Sequence, residues 1–340
     1  MKKAVVCLLL ALTLSVLCQR QVIDALMTAA RGVISQYMPA QEQPAPDAPT
    51  YAQQLGDSAA HDTLPATLYY RFAGTRLLGA EQILLDIRRE ETVARSIVDA
   101  LIEGPSASHA RLTGLFPQGT RVISVTGEGS TAFVTLSRGF LGRPDGAPAD
   151  WEDIEYWQEE ATLRRYLAMQ SIVLSLTEEG RYQRVQLYVA DNDDEIPERL
   201  ELYWFDRTQE DLSVVLGACA RDAQAMLTPE RTLDMALAAW QERDWETLYL
   251  FLAAQEDEQL PSYSVFEAEM KERDISLLEY AISGGTVGMD GRSATLVLDA
   301  ALRSVDGGDA QIVRESVLLT RVTDNWTISP KTLEDLMIRD

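Results

Sequence analysis

The sequence predicts an α+β fold in two successive parts: a β-β-α-β-β-α-β sandwich, then a cone-shaped unit of helices followed by an antiparallel meander. Between residues 67 and 192, aromatic and β-branched runs alternate with two stretches of helical periodicity. From 228 onward, helical stripes come first and strand-like runs separated by Asp- and Gly-containing turns come after. The chain has 340 residues, 46% apolar and 24% charged, which allows two folded domains and excludes wholesale disorder, collagen-like repeats and a polytopic membrane protein.

At the N-terminus, Met1-Lys2-Lys3 precedes an apolar run from Ala4 to Cys18 that ends at Gln19-Arg20. A basic start followed by about fifteen apolar residues fits an export signal over 1–18, and the run is short of the ~20 residues a transmembrane helix needs. Cys18 stands where a bacterial lipoprotein is cleaved and acylated, although Leu17 departs from the small residue such signals carry there. Lipidation at Cys18, cleavage after Thr28-Ala29-Ala30 and a retained anchor all stay open. Residues 19–66 follow as an amphipathic segment, with Val22, Ile23, Leu26, Met27, Ala30, Val33, Ile34 and Tyr37 at helical spacing, and a proline-rich tether from Met38 to Ala66.

Each element of the first part has a local reason. Leu68–Ala73 and Gln82–Ile87 read as strands. Glu90–Glu103 reads as a helix, with Val93, Ile97, Ala100 and Leu101 on one face, Glu90-Glu91 in its first turn and Gly104-Pro105 as its stop. Arg121–Val125 and Ala132–Leu136 flank a turn, Gly127-Glu128-Gly129-Ser130. Trp151–Thr177 is a long helical run, and Arg184–Val189 is a closing strand. Residues 193–227 form an acidic connector expected to hold one more strand and a linking helix.

In the second part, Thr228-Pro229-Glu230 supplies an N-cap, a first-turn proline and an acid at the positive helix end. Leu233, Ala236, Leu237 and Trp240 form one stripe, Trp245, Leu248, Tyr249 and Leu252 a second, and Tyr263, Phe266 and Met270 a third. Strands are expected at 276–287, 292–303, 310–321 and Trp326–Ser329. They are separated by Asp290-Gly291, Asp306-Gly307-Gly308 and Asp324-Asn325.

Four pieces follow one another in the first part: Leu68-Tyr69-Tyr70-Arg71-Phe72, Ala100-Leu101-Ile102-Glu103-Gly104-Pro105, Phe116-Pro117-Gln118-Gly119-Thr120 and Thr131-Ala132-Phe133-Val134-Thr135-Leu136-Ser137. Through these pieces, in this order, it resembles the GerMN domain of GerM-type sporulation and germination proteins. Val185-Gln186-Leu187-Tyr188-Val189 fits the last strand, with Asp191-Asn192 in place of the usual Asp-Gly. The resemblance covers 67–192 and implies an exported, membrane-attached module of envelope assembly with no established enzymatic residues. Residues 228–340 resemble the nuclear-transport-factor-two-like superfamily through Ala239-Trp240-Gln241-Glu242-Arg243-Asp244-Trp245, Ser293–Leu298 and Asn325–Ser329.

Chemistry is sparse. With 53 acidic and 30 basic residues the net charge is −23, which argues against nucleic acid as a partner. His61, in the tether, and His109, in a loop, are the two histidines, too few for a multi-histidine metal site, and His-based triads are not expected. Cys7 and Cys18 fall in the signal, so Cys219 alone supports neither a disulfide framework nor a thiolate metal site. Asp191, Asp193, Asp194 and Glu195 lack the spacing of a calcium loop.

The expectation is therefore an extracytoplasmic, membrane-anchored, non-catalytic protein with no cofactor or metal. Its partners would be envelope or sporulation assembly proteins, or a second copy of itself, with the membrane met through the N-terminus. The alternative is a small-molecule binding or catalytic pocket in the cone, lined by Asp244, Trp245, Tyr249, Tyr263 and Tyr280.

Overall fold

A computed structural model describes residues 62–87, 91–192, 194–255, 258–273, 275–303 and 310–337. The expected export signal with Cys18, the amphipathic segment and the tether as far as His61 lie outside the described residues.

Strands β1 (Asp62–Phe72), β2 (Leu78–Ile87) and the two-residue β3 (Leu112–Thr113) form a first antiparallel sheet in the order β2-β1-β3. β1 starts before Leu68 and takes in Pro65, which the sequence assigns to the tether. Proline is tolerated there because β1 has β2 on one side only at that point, β3 reaching no further than Arg71 and Phe72.

Helix α1 (Val93–Glu103) is capped by Thr92, whose hydroxyl accepts the Arg95 N–H at 3.2 Å. Glu91 therefore precedes the cap, and the first turn holds no acid, contrary to expectation. Gly104 ends the helix at φ 97°, as expected of a residue without Cβ.

β4 (Val122–Glu128) and β5 (Thr131–Ser137) form a hairpin that closes at Gly129-Ser130, so the strands run through Gly127-Glu128. β5 connects through α2 (Glu155–Thr177) to β6 (Arg184–Ala190), which lies parallel to it, and β7 (Glu198–Arg199) completes the order β4-β5-β6-β7. The first part is thus built on two sheets.

The reason lies in α2. Its buried Ser175 accepts the Tyr69 N–H at 3.2 Å, and its buried Ser171 donates to the Tyr69 carbonyl. A helix, not another strand, closes that edge of β1.

The connector holds β7, two single 3-10 turns at Leu202–Trp204 and Ala223–Ala225, and no α-helix between 200 and 227. Its β-branched run instead pairs as bridges, Val215 with Glu201 and Cys219 with Val185.

The second part follows expectation closely. α3 (Pro229–Glu242), α4 (Trp245–Leu250) and α5 (Tyr263–Arg273) precede β8 (Ser276–Val287), β9 (Ser293–Arg303), β10 (Gln311–Val322) and β11 (Asn325–Ile328). The strands form an antiparallel meander, β11-β10-β9-β8, curled by irregularities in β8 at Leu277/Glu279 and Ser283/Gly285. This half-barrel wraps around α3, giving the cone. A last helix, α6 (Pro330–Met337), was not expected, although Ser329 caps it through Thr332 N–H at 3.0 Å and Pro330 fills its first position.

Residues 61–340 form one unit, and a single apolar core runs through both parts. Phe72 of β1 stacks on Phe251, just past α4, with centroids 5.4 Å apart. Replacing Ser175 with Ala leaves the Tyr69 N–H buried without its partner. Urea unfolding should show a loss of about 1–3 kcal/mol, whereas an unchanged midpoint would mean that α2 does not close the β1 edge.

Candidate functional site

The most elaborate polar arrangement among the described residues sits where the meander meets β2. β10 turns into β11 through Thr323 and Asp324, both left-handed at φ 49° and 65°. A β-branched threonine in that region is strained backbone. Its carbonyl accepts from Asn325 Nδ2 at 3.0 Å, which helps to hold the turn.

The turn delivers two side chains to the outer edge of β2. Asn325 accepts the Ala80 N–H at 2.9 Å and donates to the Ala80 carbonyl at 3.0 Å, as a neighbouring strand would. Asp324 accepts the Gln82 N–H at 2.9 Å. Gly79 makes the approach possible, since a Cβ there would clash with the Asn325 amide and lie 2.8 Å from a Leu112 methyl.

His109, placed by the sequence in a loop, lies between two carboxylates. Its Nδ1 is 3.2 Å from Glu81 and its Nε2 3.2 Å from Asp324, with 9% of its side chain exposed. Glu81 is 1% exposed, and both its oxygens also accept the Ser106 N–H at 3.2 Å. The His109 Nδ1 also lies 3.1 Å from the Ser106 hydroxyl and 3.2 Å from that of Ser108. Beside it a cleft of about 170 Å³ is lined by His109, Arg111, Phe72 and the 322–325 turn. Sequence reasoning did not single out Arg111, Asp324 or Glu81. Asp324-Asn325 was legible only as a turn.

The residues named for a cone pocket are spent on structure. Asp244 caps α4 by accepting the Thr247 N–H at 3.1 Å, and hydrogen bonds from the Thr247 side chain, then from that N–H, hold its carboxyl below the ordinary value. Trp245 is buried. Tyr249 donates to the Pro261 carbonyl at 2.7 Å and packs edge-on against Tyr263. Tyr280 donates to Asp234 at 2.9 Å, and burial, then that acceptor, push its pKa up to about 12. The cone's inner face carries Leu277, Leu296, Leu298, Val317, Leu319 and Trp326, all packed in the common core.

Of the acidic group after β6, Asp193 lies outside the described residues. Asp191 pairs with Arg138 at 3.3 Å, and Asp194 N–H donates to Asn192 at 3.0 Å. Among the described residues no group of three His, Cys, Asp or Glu side chains is placed to hold a metal. Cys219 is half-buried, its Sγ 3.4 Å from Met169 Sδ, and burial pushes its thiol up, away from the reactive thiolate.

Elsewhere, Arg165 is 6% exposed and lies between the rings of Trp151 and Trp204, at 5.6 and 4.9 Å, while Nη2 donates to the Leu141 carbonyl. Burial lowers its pKa to about 10. Glu160 on α2 bridges to Arg71 of β1 and, at 2.7 Å, to Arg164. Burial raises its pKa, but the bonds from Arg71 and Arg164 outweigh that and hold it below the ordinary value.

Two outcomes follow from these contacts. Asn325→Ala removes both bonds to Ala80 and should cost about 2–3 kcal/mol in urea unfolding, with Gly79→Ala destabilising by the same route. A wild-type midpoint for both would remove the junction from the account. A depressed carboxyl stabilises above its unfolded pKa and loses that contribution as pH falls through the folded value. Glu160→Gln should therefore be less stable than wild type at neutral pH, with the gap closing in acid. A gap that stays constant with pH would contradict the pairing.

Residues 67–195 match a family model named Germane, described as sporulation and spore germination. Similar solved structures include the tandem GerMN domains of the sporulation protein GerM from Bacillus subtilis, 15% identical, covering 50% of this chain and 50% of that one at a TM-score of 0.30. The first GerMN domain of that protein is 13% identical over 48% of this chain and 99% of its own, TM-score 0.28. A putative lipoprotein from Clostridium perfringens is 18% identical over 47% of this chain and 93% of its own, TM-score 0.24. The chain spans about half the length of the tandem GerMN structure, and at these TM-scores the likeness adds nothing to the family match. No curated protein matches the chain. What the comparisons give is thus a stretch, residues 67–195, that is similar to the family described as sporulation and spore germination.

Proposed function

We propose that this is an exported, membrane-anchored, non-catalytic envelope protein that acts as a protein–protein assembly module. In this reading the GerM-like part is fused to a nuclear-transport-factor-two-like part. The observation that carries it is the match of residues 67–195 to the sporulation and germination family.

Three features support the reading. The sequence begins with a basic, then apolar stretch of export type ending at Cys18. Among the described residues, the carboxylates whose pKa departs from the ordinary value, Glu160, Asp206, Asp211, Asp244, Glu267 and Asp290, are all held down, so none is prepared as a general acid. A net charge of −23 suits a basic partner or a cation-rich wall matrix.

Cross-linking in intact cells, purification of the tagged full chain and mass spectrometry test the assembly role. The same envelope or sporulation protein should return in each preparation, and a reproducibly partner-free chain would overturn the reading. Cys18→Ala should move the chain out of the membrane fraction. Retention there would replace the lipid by an uncleaved anchor.

A further inference from the structure

Arg111 sits in the cleft at the junction with no carboxylate partner among the described residues. A guanidinium carries five N–H donors, and the bond it makes to a described residue is from Nη2 to the Leu252 carbonyl at 2.7 Å. Burial pushes its pKa down, and the opposing influence comes from Tyr249 rather than from an acid. In a chain with 53 acidic residues, this cation has no ion pair among the described residues.

The neighbouring acids are already engaged. Glu81 holds the Ser106 N–H and His109, and Asp324 holds the Gln82 N–H and His109. Their charges are turned to the imidazole and to backbone donors, which leaves the guanidinium fork to the cleft. The cleft is about 170 Å³, room for one small anion and too small for a nucleotide. Phe72, Val322, Ser108 and Thr323 also line it. Desolvating a cation without a counter-charge is costly, and a forked guanidinium matches a planar or tetrahedral oxyanion in two parallel bonds.

We propose that the Arg111 cleft is a binding site for a small oxyanion, a carboxylate or phosphate group. Bound there, the anion ties the 108–112 loop to the 322–325 turn and strengthens the join between the two parts of the chain.

Isothermal titration of the full chain with inorganic phosphate tests this, against sodium chloride at equal ionic strength. One-to-one saturable binding to wild type is expected, with a rise in melting temperature that chloride does not give. Succinate in a parallel titration tells a carboxylate from a phosphate site by which of the two binds tighter. Arg111→Gln should abolish binding. If that variant does not fold, Arg111→Lys keeps the charge but loses the fork and should weaken binding by about tenfold or more. Absence of saturable binding of either anion to wild type, or equal affinity in a folded Arg111 variant, overturns the proposal.

Discussion

The Asn325 side-chain amide holds both backbone groups of Ala80, and the placement of the meander against the first sheet depends on that pairing. A sheet edge left open offers unpaired N–H and C=O groups to any other strand. This chain closes its edges with side chains instead of strands. Ser171 and Ser175 seal β1, Asn325 and Asp324 seal β2, and Arg95 donates to the Val122 and Ile123 carbonyls of β4 at 3.0 Å. At the start of β8, Gln241 reaches the Leu278 carbonyl at 2.6 Å. In each case the sealing side chain belongs to a different element, so sealing an edge also fixes how two elements lie.

Apolar packing then makes the join cooperative. Phe72 belongs to the first sheet and Phe251 to the cone, yet they stack within one core. A polar pair such as Asn325–Ala80 sets where the parts meet, because its geometry accepts one register. Burial around Phe72 and Phe251 supplies most of the free energy, because dispersion and desolvation are large and undirected. His109 adds polar contacts to that specificity from a loop, between acids on β2 and on the β10–β11 turn.

Most elements were legible because their signals are local. The Thr228-Pro229 cap, the stripe on α3 and the Asp-Gly turns of the meander each act within a few residues. What escaped was set at a distance. Pro65 looked like tether because nothing local says that β1 has one free side there. The split into two sheets depends on Ser171 and Ser175, which in sequence are ordinary polar residues within a helix. The Ser329-Pro330 start of α6 was a local signal and was simply missed. Of the site, His109 was seen and placed in a loop, but its partners Glu81 and Asp324 lie 28 positions before and 215 after it in the chain. Arg111 carries no sequence signal, since what sets it apart is that the neighbouring acids, Glu81 and Asp324, are joined to His109 and to backbone donors instead.

The bonds from Asn325 to Ala80 span 245 positions of sequence. A ribosome adding residues at about 5–20 per second reaches the second partner roughly 10–50 s after the first. Through that interval the Ala80 and Gln82 groups on the outer edge of β2 wait for Asn325 and Asp324, while Leu78 on the same edge is met earlier by Met226 and Leu227, and Leu84, 72% exposed even in the finished fold, stands on the same strand. The nascent protein thus passes through a window in which it is sticky along one line, and whatever holds it unfolded or shielded in that window decides its yield.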